Sequence, residues 1–279
     1  MKKIIAMLTM FLLVSLALLP TAADTTKLEV HFLDVGQGDC AIILCDGESM
    51  VIDGGPRGSS QLVYSYIQDT LHLTHVDYVI STHPHLDHVG GLASVLNAAP
   101  VDLILTPVTE WNSKAFNSML KYAELQGTPL VVPQEGDTLQ LGGALITILH
   151  CWPEAVQQSR TNDSSIVLRI DYESTSFLFT GDAEDWSEYM MIDAGVNLKA
   201  NVLKVSHHGS GTASTEEFLR AVQPEYAVIS VGKSNEYGHP HKNVLERFNG
   251  IGATILRTDQ LATIIIGSNG ENIFSPEHI

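Results

Sequence analysis

Residues 81–91 read Ser81-Thr-His-Pro-His-Leu-Asp-His-Val-Gly-Gly91, placing three histidines and one aspartate within six positions. His83 and His85 are two apart, so in an extended segment their side chains leave the same face. Asp87 and His88 follow at once, where the chain turns into a helix. Val76–Ile80, just before the motif, is a strand-like run, and Gly90–Ala98 after it reads as a short helix. Neutral imidazole and carboxylate oxygen are ligands for zinc, and also for manganese or iron. Two ligands before a bend and two after it imply two metal ions, the first on His83 and His85, the second on Asp87 and His88. The bland alternative, a solvated loop with chance histidines, does not account for the flanks.

Working outward, Leu28–Leu33 alternates apolar and polar residues as a strand does, and ends in the turn Asp34-Val-Gly-Gln-Gly-Asp39. Ala41–Cys45 and Met50–Ile52 form a hairpin across Asp46-Gly47, followed by Asp53-Gly-Gly55. Gln61–Thr70 and Ser113–Leu125 have helical spacing, and Val101–Leu105 and Leu130–Val132 are strands. The second half repeats the texture. Leu139–Leu141, Leu145–Leu149, Ser165–Ile170 and Ser176–Phe179 read as antiparallel strands. Helices over Ala183–Ala194, Thr215–Val222 and Lys242–Phe248 then alternate with strands Val202–Val205 and Tyr226–Ser230. Thr254–Arg257 and Ala262–Ile266 close the chain. Antiparallel strands first, then strand–helix alternation, twice over, fit an α+β protein with two sheets face to face and helices outside.

The polar residues fall at strand ends: Asp34 to Asp39, Asp53, the histidine cluster, Asp182, His207 with His208, and His239. Sites are built where loops meet at one edge of a rigid scaffold. Asp182 is the expected bridge between the two metals, since a carboxylate has two oxygens to share. A water between two such cations would be acidified toward neutral pH and serve as the nucleophile.

Composition sets limits. The formal net charge is −17, a surface that repels nucleic acid at long range and argues against a DNA-coating protein. Bound cations can invert that potential locally. Met1-Lys-Lys, an apolar run from Ile4 to Leu19, then Pro20-Thr-Ala-Ala23, reads as a secretory signal peptide. The run is shorter than the ~20 residues of a membrane span; an uncleaved anchor is the alternative. We therefore expect residues 1–23 to be a signal peptide and 24–279 one hydrolase domain, secreted or in the cell envelope, with no stable membrane partner after cleavage. Cys40, Cys45 and Cys151 are too few for a disulfide framework and read as buried thiols. A bridge from Cys151 to one of the others stays open.

The histidine motif, with a later Gly-Asp and a later His, resembles the metallo-β-lactamase superfamily. Further stretches narrow the resemblance: Phe32-Leu-Asp-Val-Gly-Gln-Gly-Asp39, Val51-Ile-Asp-Gly-Gly55, Asn162-Asp-Ser-Ser-Ile-Val-Leu168, Phe179-Thr-Gly-Asp182, Leu203-Lys-Val-Ser-His-His-Gly-Ser210 and Tyr237-Gly-His-Pro240. In that order they are similar to the metallohydrolase domain of the competence protein ComEC and its free-standing secreted relatives. The resemblance covers roughly residues 28–266 and leaves out the ComEC channel domains, so DNA uptake does not carry over.

The resemblance implies a four-layer αββα sandwich, two divalent ions (zinc or manganese) and hydrolysis, with phosphodiesters the favoured substrates and DNA or another nucleic acid the leading guess. The metal ligands it implies are His83, His85, Asp87, His88, Asp182 and His239. His207 or His208 would contact the phosphate or protonate the leaving oxygen; the two are adjacent, so in a strand they would point opposite ways and only one would face the site, and the reverse assignment with His239 stays open. Where many members carry a further histidine for the first metal, this chain has Asn162-Asp163, with His150 a weaker substitute. Asp53 is expected either to orient an imidazole or to be a simple turn aspartate, and Gly90-Gly91 to permit close packing. Asp34 and Asp39 are either supports or turn formers. Lys204, Lys233 and Lys242 could attract phosphate, and Trp111, Trp152 and Trp186 are expected to pack. The rival readings are a small-molecule, phosphocholine-type phosphodiesterase and a metal-stabilised envelope binding protein without turnover.

Overall fold

The computed structural model describes residues 27–274 and 277–278, so the expected signal peptide lies outside the described residues. In chain order the strands are β1 (Leu28–Phe32), β2 (Ala41–Cys45), β3 (Glu48–Ile52), β4 (Val76–Ile80), β5 (Val101–Leu105), β6 (Leu130–Val131), β7 (Thr138–Leu141), β8 (Ala144–His150), β9 (Val167–Tyr172), β10 (Thr175–Phe179), β11 (Val202–Lys204), β12 (Tyr226–Ile229), β13 (Thr254–Arg257), β14 (Ile264–Ser268) and β15 (Glu277–His278). The α-helices are α1 (Ser60–Ser65, continued by a π turn to Thr70), α2 (Leu86–Val89), α3 (Leu92–Ala98), α4 (Lys114–Gln126), α5 (Asp185–Asp193), α6 (Glu216–Val222), α7 (Lys242–Gly250) and α8 (Thr258–Leu261).

The strands make two sheets, in the orders β15-β14-β1-β2-β3-β4-β5-β6 and β13-β12-β11-β10-β9-β8-β7. Strands such as Ala-Ile-Ile-Leu-Cys are apolar throughout because both faces are covered. Successive side chains divide between layers. Ile43, Ile52 and Ile80 face the second sheet and meet Ile146, Leu168 and Phe177 there. Ile42, Val51 and Val79 face outward under Val63, Val95 and Phe116 of α1, α3 and α4. On the far side Leu178, Leu203 and Ile229 pack under Met191, Phe218 and Phe248 of α5 to α7. This is the expected αββα sandwich. Phe32 of β1 and Phe179 of β10 stack at 5.8 Å between the sheets, and truncating either to Ala would cost roughly 3–5 kcal/mol.

Strand β14 departs from the two-halves pattern. It leaves the second half of the chain and pairs antiparallel with β1, Ile264 opposite Phe32. In the first sheet β3, β4 and β5 run parallel, and β1 runs with them because it is two antiparallel steps from β3. In the second sheet β10, β11 and β12 run parallel. The loops after these strands open at their carboxyl ends, where open α/β sheets place ligands. Cys40, Cys45 and Cys151 are free thiols, the first two buried. Among the described residues no helix is long and apolar enough to cross a membrane.

Candidate metal centre

Strand β4 delivers Ser81 to His85, and α2 carries Asp87 and His88. Two glycines terminate α2 because there is no room for a side chain: a Cβ on Gly91 would overlap the Gly54 carbonyl, and one on Gly90 would overlap backbone of Arg57 and Leu86. The turn after β1 is tied to the same helix, since Asp39 donates its N–H to the Asp87 carbonyl at 3.1 Å. Asp182 follows β10, and its N–H donates to Ser165 Oγ at 3.0 Å.

His88 is held from behind. Its Nδ1–H donates to Asp53 Oδ2 at 2.8 Å, and Asp53 also accepts from the Thr82 N–H (2.8 Å) and hydroxyl (2.6 Å). That bond sets the tautomer and leaves His88 Nε2 facing Asp182 Oδ2 at 3.2 Å. His208 follows the same design. Its Nδ1 proton faces the Ser230 carbonyl at 3.0 Å and Asp39 Oδ1 at 3.2 Å, while Nε2 lies 3.2 Å from Asp87 Oδ2 and 3.5 Å from Asp182 Oδ2. Asp39 in turn pairs with the buried Lys204 ammonium at 2.6 Å. Asp87, His88, Asp182 and His208 each bring one donor atom within 4.8 Å of the others.

The second group is looser. His83 Nε2 lies 3.0 Å from His85 Nδ1 and 3.8 Å from Asp182 Oδ2. His207 Nδ1 lies 3.2 Å from Glu184 Oε1, leaving Nε2 at 3.8 Å from Asp182 Oδ2. Asn162 donates to Glu184 at 3.1 Å, and its own Oδ1 is buried without a partner among the described residues.

Charge explains what the cluster is built for. Burial opposes ionisation of Asp87 and Asp182, yet His88 and His208 hold both carboxyls below the ordinary range. Burial likewise opposes charge on His208, but Asp182 and Asp39 raise it to about 10. His88 is also raised, its desolvation outweighed by Asp182, Asp53 and Asp87. Buried carboxylates facing imidazoles in this way call for positive charge, and a donor set of two imidazoles and two carboxylates fits a divalent cation. Burial, with His88 beside it, lowers His83, and burial lowers His85, so both are neutral, the ligand form.

The structure revises several expectations. His207 and His208 do not sit on a strand pointing opposite ways. Ser206–Gly209 is a tight turn with left-handed φ of 48° and 54° at the two histidines, and both rings line one pocket. His208, not His239, stands in the four-donor group. His239 lies on the rim, its ring 6.3 Å from His208, lowered to about 4 by burial and the neighbouring His207. Asp163 turns away, accepting from Ser187 Oγ at 2.7 Å and from the Glu184 N–H, and His150 pairs with Glu135. Lys204 is buried on Asp39, so it cannot meet a phosphate. Lys242 is exposed beside Glu246. Trp186 is not packed but half exposed under the Arg160 guanidinium at 5.0 Å. Glu184 and Gln37 were not singled out in the sequence; for Gln37 the signal was the flanking pair of glycines.

A family model for the metallo-beta-lactamase superfamily matches residues 33–233, the span that contains every strand-end motif of the centre except His239. The chain belongs to the metallo-beta-lactamase superfamily. Members of this superfamily are mostly hydrolases that bind divalent ions, and the cluster described above suits that chemistry. Within the superfamily the chain is ComEC-like. It is 31% identical over 253 residues to ComE operon protein 3 of Bacillus subtilis (strain 168), covering 85% of this chain and 32% of that protein. It is 33% identical over 226 residues to recombination protein 2 of Haemophilus influenzae (79% and 26%), and 27% identical over 249 residues to competence protein ComA of Neisseria gonorrhoeae (89% and 33%). The chain thus spans a third or less of each of these relatives. Among solved structures the fold is similar to YhfI of Bacillus subtilis, a metallo-beta-lactamase fold protein (TM-score 0.56, 13% identity, 87% of this chain and all of that one). It is also similar to CmlA, a diiron beta-hydroxylase from Streptomyces venezuelae (TM-score 0.57, 16% identity, 84% and 53%). These likenesses are of fold alone, and the reaction must be argued from the site.

Proposed function

We propose that the protein is a secreted metal-dependent phosphodiesterase acting on DNA or another nucleic acid. The observation that carries this reading is the central position of Asp182, whose Oδ2 lies 3.2 Å from His88, 3.5 Å from His208 and 3.8 Å from both His83 and His207. Asp87, His88, Asp182 and His208 would hold one divalent ion. His83, His85 and Asp182 would hold a second, with His207 or Asn162 completing it. Zinc or manganese bound there supplies Lewis acidity toward phosphoryl oxygens and makes a water nucleophilic at neutral pH. The chain's own residues do the rest. Asp53, Ser230, Asp39 and Glu184 fix the imidazole orientations. His239, on the rim beside an exposed Tyr237 at 5.5 Å and held neutral by burial, is placed to contact the substrate.

A small phosphodiester, of the phosphocholine type, is the second reading. The pocket is a cavity of about 360 Å³ with no lysine or arginine in its lining, and the protein carries a net charge of −17. A long polyanion normally meets a basic groove; a small substrate needs none.

The test is to strip the purified protein of metal, restore zinc or manganese separately, and assay plasmid DNA, linear DNA, bis(4-nitrophenyl) phosphate and a cephalosporin in parallel. Cleavage of DNA and the aryl diester, abolished by the His85→Ala, Asp87→Ala double substitution, is the expected result. Cleavage of the aryl diester but neither DNA selects the small-substrate reading. Tight metal binding without turnover of any substrate selects a binding protein and ends the proposal. An added run of residues 1–23 fused to a reporter and recovered outside the cell would test secretion.

A further inference from the structure

Among the described residues, the pocket wall contains a buried amide donor that the metal centre does not use. Gln37 lines the pocket together with Asp87, Asp182 and His208. Its Oε1 accepts the backbone N–H of Gly232 at 3.1 Å. A backbone N–H can only donate, so the amide is oriented with oxygen toward Gly232 and nitrogen away from it. That nitrogen, Nε2, is buried and has no hydrogen-bond partner among the described residues. Buried polar atoms are paired in almost all native proteins, so an unpaired one held in a fixed orientation calls for an explanation.

The chain has gone to some length to place it there. Gly36 and Gly38 have φ of +76° and +143°, values that a side chain disfavours. A Cβ on Gly38 would overlap the Asp87 carbonyl, and a Cβ on Gly232 would come within 2.6 Å of the Gln37 backbone nitrogen. The loop is therefore pressed on one side against α2 and on the other against the strand end after β12. The side chain between these contacts is fixed by backbone, not by other side chains.

The surroundings define what the donor meets. The carboxylates of Asp87 and Asp182 and the imidazoles of the centre present acceptor atoms to the cations that they would hold. The other pocket amide, Asn162, already gives its N–H to Glu184. An oxygen that bears negative charge, carried by the substrate, is the partner that such a site lacks.

We propose that Gln37 is a substrate-binding residue whose Nε2 donates to a non-bridging oxygen of the phosphoryl group. This deepens the phosphodiesterase reading and rests on it. The donor is neutral and preorganised, so it would bind the anion without a lysine or arginine and would act most strongly as charge builds on the oxygen during attack.

Two substitutions separate this role from a structural one. Gln37→Glu keeps an oxygen for the Gly232 N–H and the side-chain shape, but replaces the donor with an acceptor. Gln37→Met removes both. The metal-loaded proteins are compared for metal content, melting temperature, affinity for inorganic phosphate by calorimetry, and kcat and KM on bis(4-nitrophenyl) phosphate. The expected result is unchanged metal content and melting for Gln37→Glu, phosphate affinity down about tenfold or more, and kcat/KM down on the order of a hundredfold. Gln37→Met should fall between it and the unaltered protein. If both variants match the unaltered protein within about twofold, the role of Gln37 is overturned while the phosphodiesterase reading stands. If they lose metal or melt early in proportion to activity, Gln37 is structural and the proposal fails. If the unaltered protein neither binds phosphate nor cleaves the diester, the reading beneath it fails as well.

Discussion

His208 Nε2 lies 3.2 Å from Asp87 Oδ2, although 121 positions separate the two residues in the chain. The contact joins the loop after β11 of one sheet to the helix after β4 of the other, so the centre straddles the sandwich edge. If this pair shares an ion, His208→Ala and Asp87→Ala should each lose about one of two bound metal equivalents. His239→Ala should keep both and lose activity instead. Elemental analysis of the three variants checks the assignment, and loss of metal in His239→Ala with retention in His208→Ala would reverse it.

Metal affinity should rise with pH. Without a cation, burial opposes the His208 charge but Asp182 and Asp39 raise its pKa to about 10. A proton on Nε2 must therefore leave before a cation can bind, and protons compete more weakly as pH rises. Zinc titrations between pH 6 and 8 should show tighter binding at the higher pH, with proton release visible as a buffer-dependent heat.

Chelation should destabilise the fold as well as stop turnover. An ion at about a thousand times its Kd adds about 4 kcal/mol to stability, and its removal leaves Asp53, Asp87 and Asp182 compensated only by imidazolium. Melting with and without EDTA, followed by zinc or manganese replacement, should show a reversible drop in Tm.

Asp53 acts on the centre through His88. Asp53→Asn keeps the volume but weakens the acceptor for the His88 Nδ1–H, which lies 2.8 Å away. Replacing such a support lowers metal affinity by about 10–100-fold. A competition titration with a chromogenic chelator measures it, and an unchanged affinity would leave Asp53 a turn residue only.

Gly91→Ala should cost about 3 kcal/mol or more, since its Cβ has no space beside the Gly54 carbonyl. Gly58→Ala, where nothing lies within 4 Å of the added carbon, should be nearly neutral, within about 0.5 kcal/mol. Denaturant unfolding of both variants reads the difference directly.

The thiols should be slow to react in the folded protein. Burial, then Glu135 and Glu154, pushes Cys151 up to about 12, and burial also raises Cys40 and Cys45. At pH 8 a thiol of that pKa is roughly one part in ten thousand thiolate. Ellman's reagent should therefore count close to no thiols in the native protein at pH 8 and all three after denaturation.

Much of this was legible before folding. The apolar run of β2 has the length and β-branched content of a buried strand, and the polar residues at the ends of β4 and β10 announced a site edge. The pairing of Asp53 with an imidazole was one of two readings of its Asp-Gly-Gly turn, and the adjacency of β3 to β4 decided it. What failed was local inference carried past its range. Treating Ser206-His-His-Gly as strand gave opposite directions for two rings that a left-handed turn sends into the same pocket. The strain of that turn is invisible locally, because tertiary contacts to Ser230 and Glu184 hold it.

The sequence alone determined the layers, the loop edge and most of the donor atoms, because these depend on short-range periodicity and on residue chemistry within a few positions. Only the tertiary structure decided that β14 closes the first sheet against β1, that His208 rather than His239 meets Asp87, and that Gln37, in the pocket lining, keeps a buried amide nitrogen without a partner among the described residues. Each of these is a distance between segments far apart in the chain, set by how two sheets twist and pack, and no spacing within the sequence encodes it.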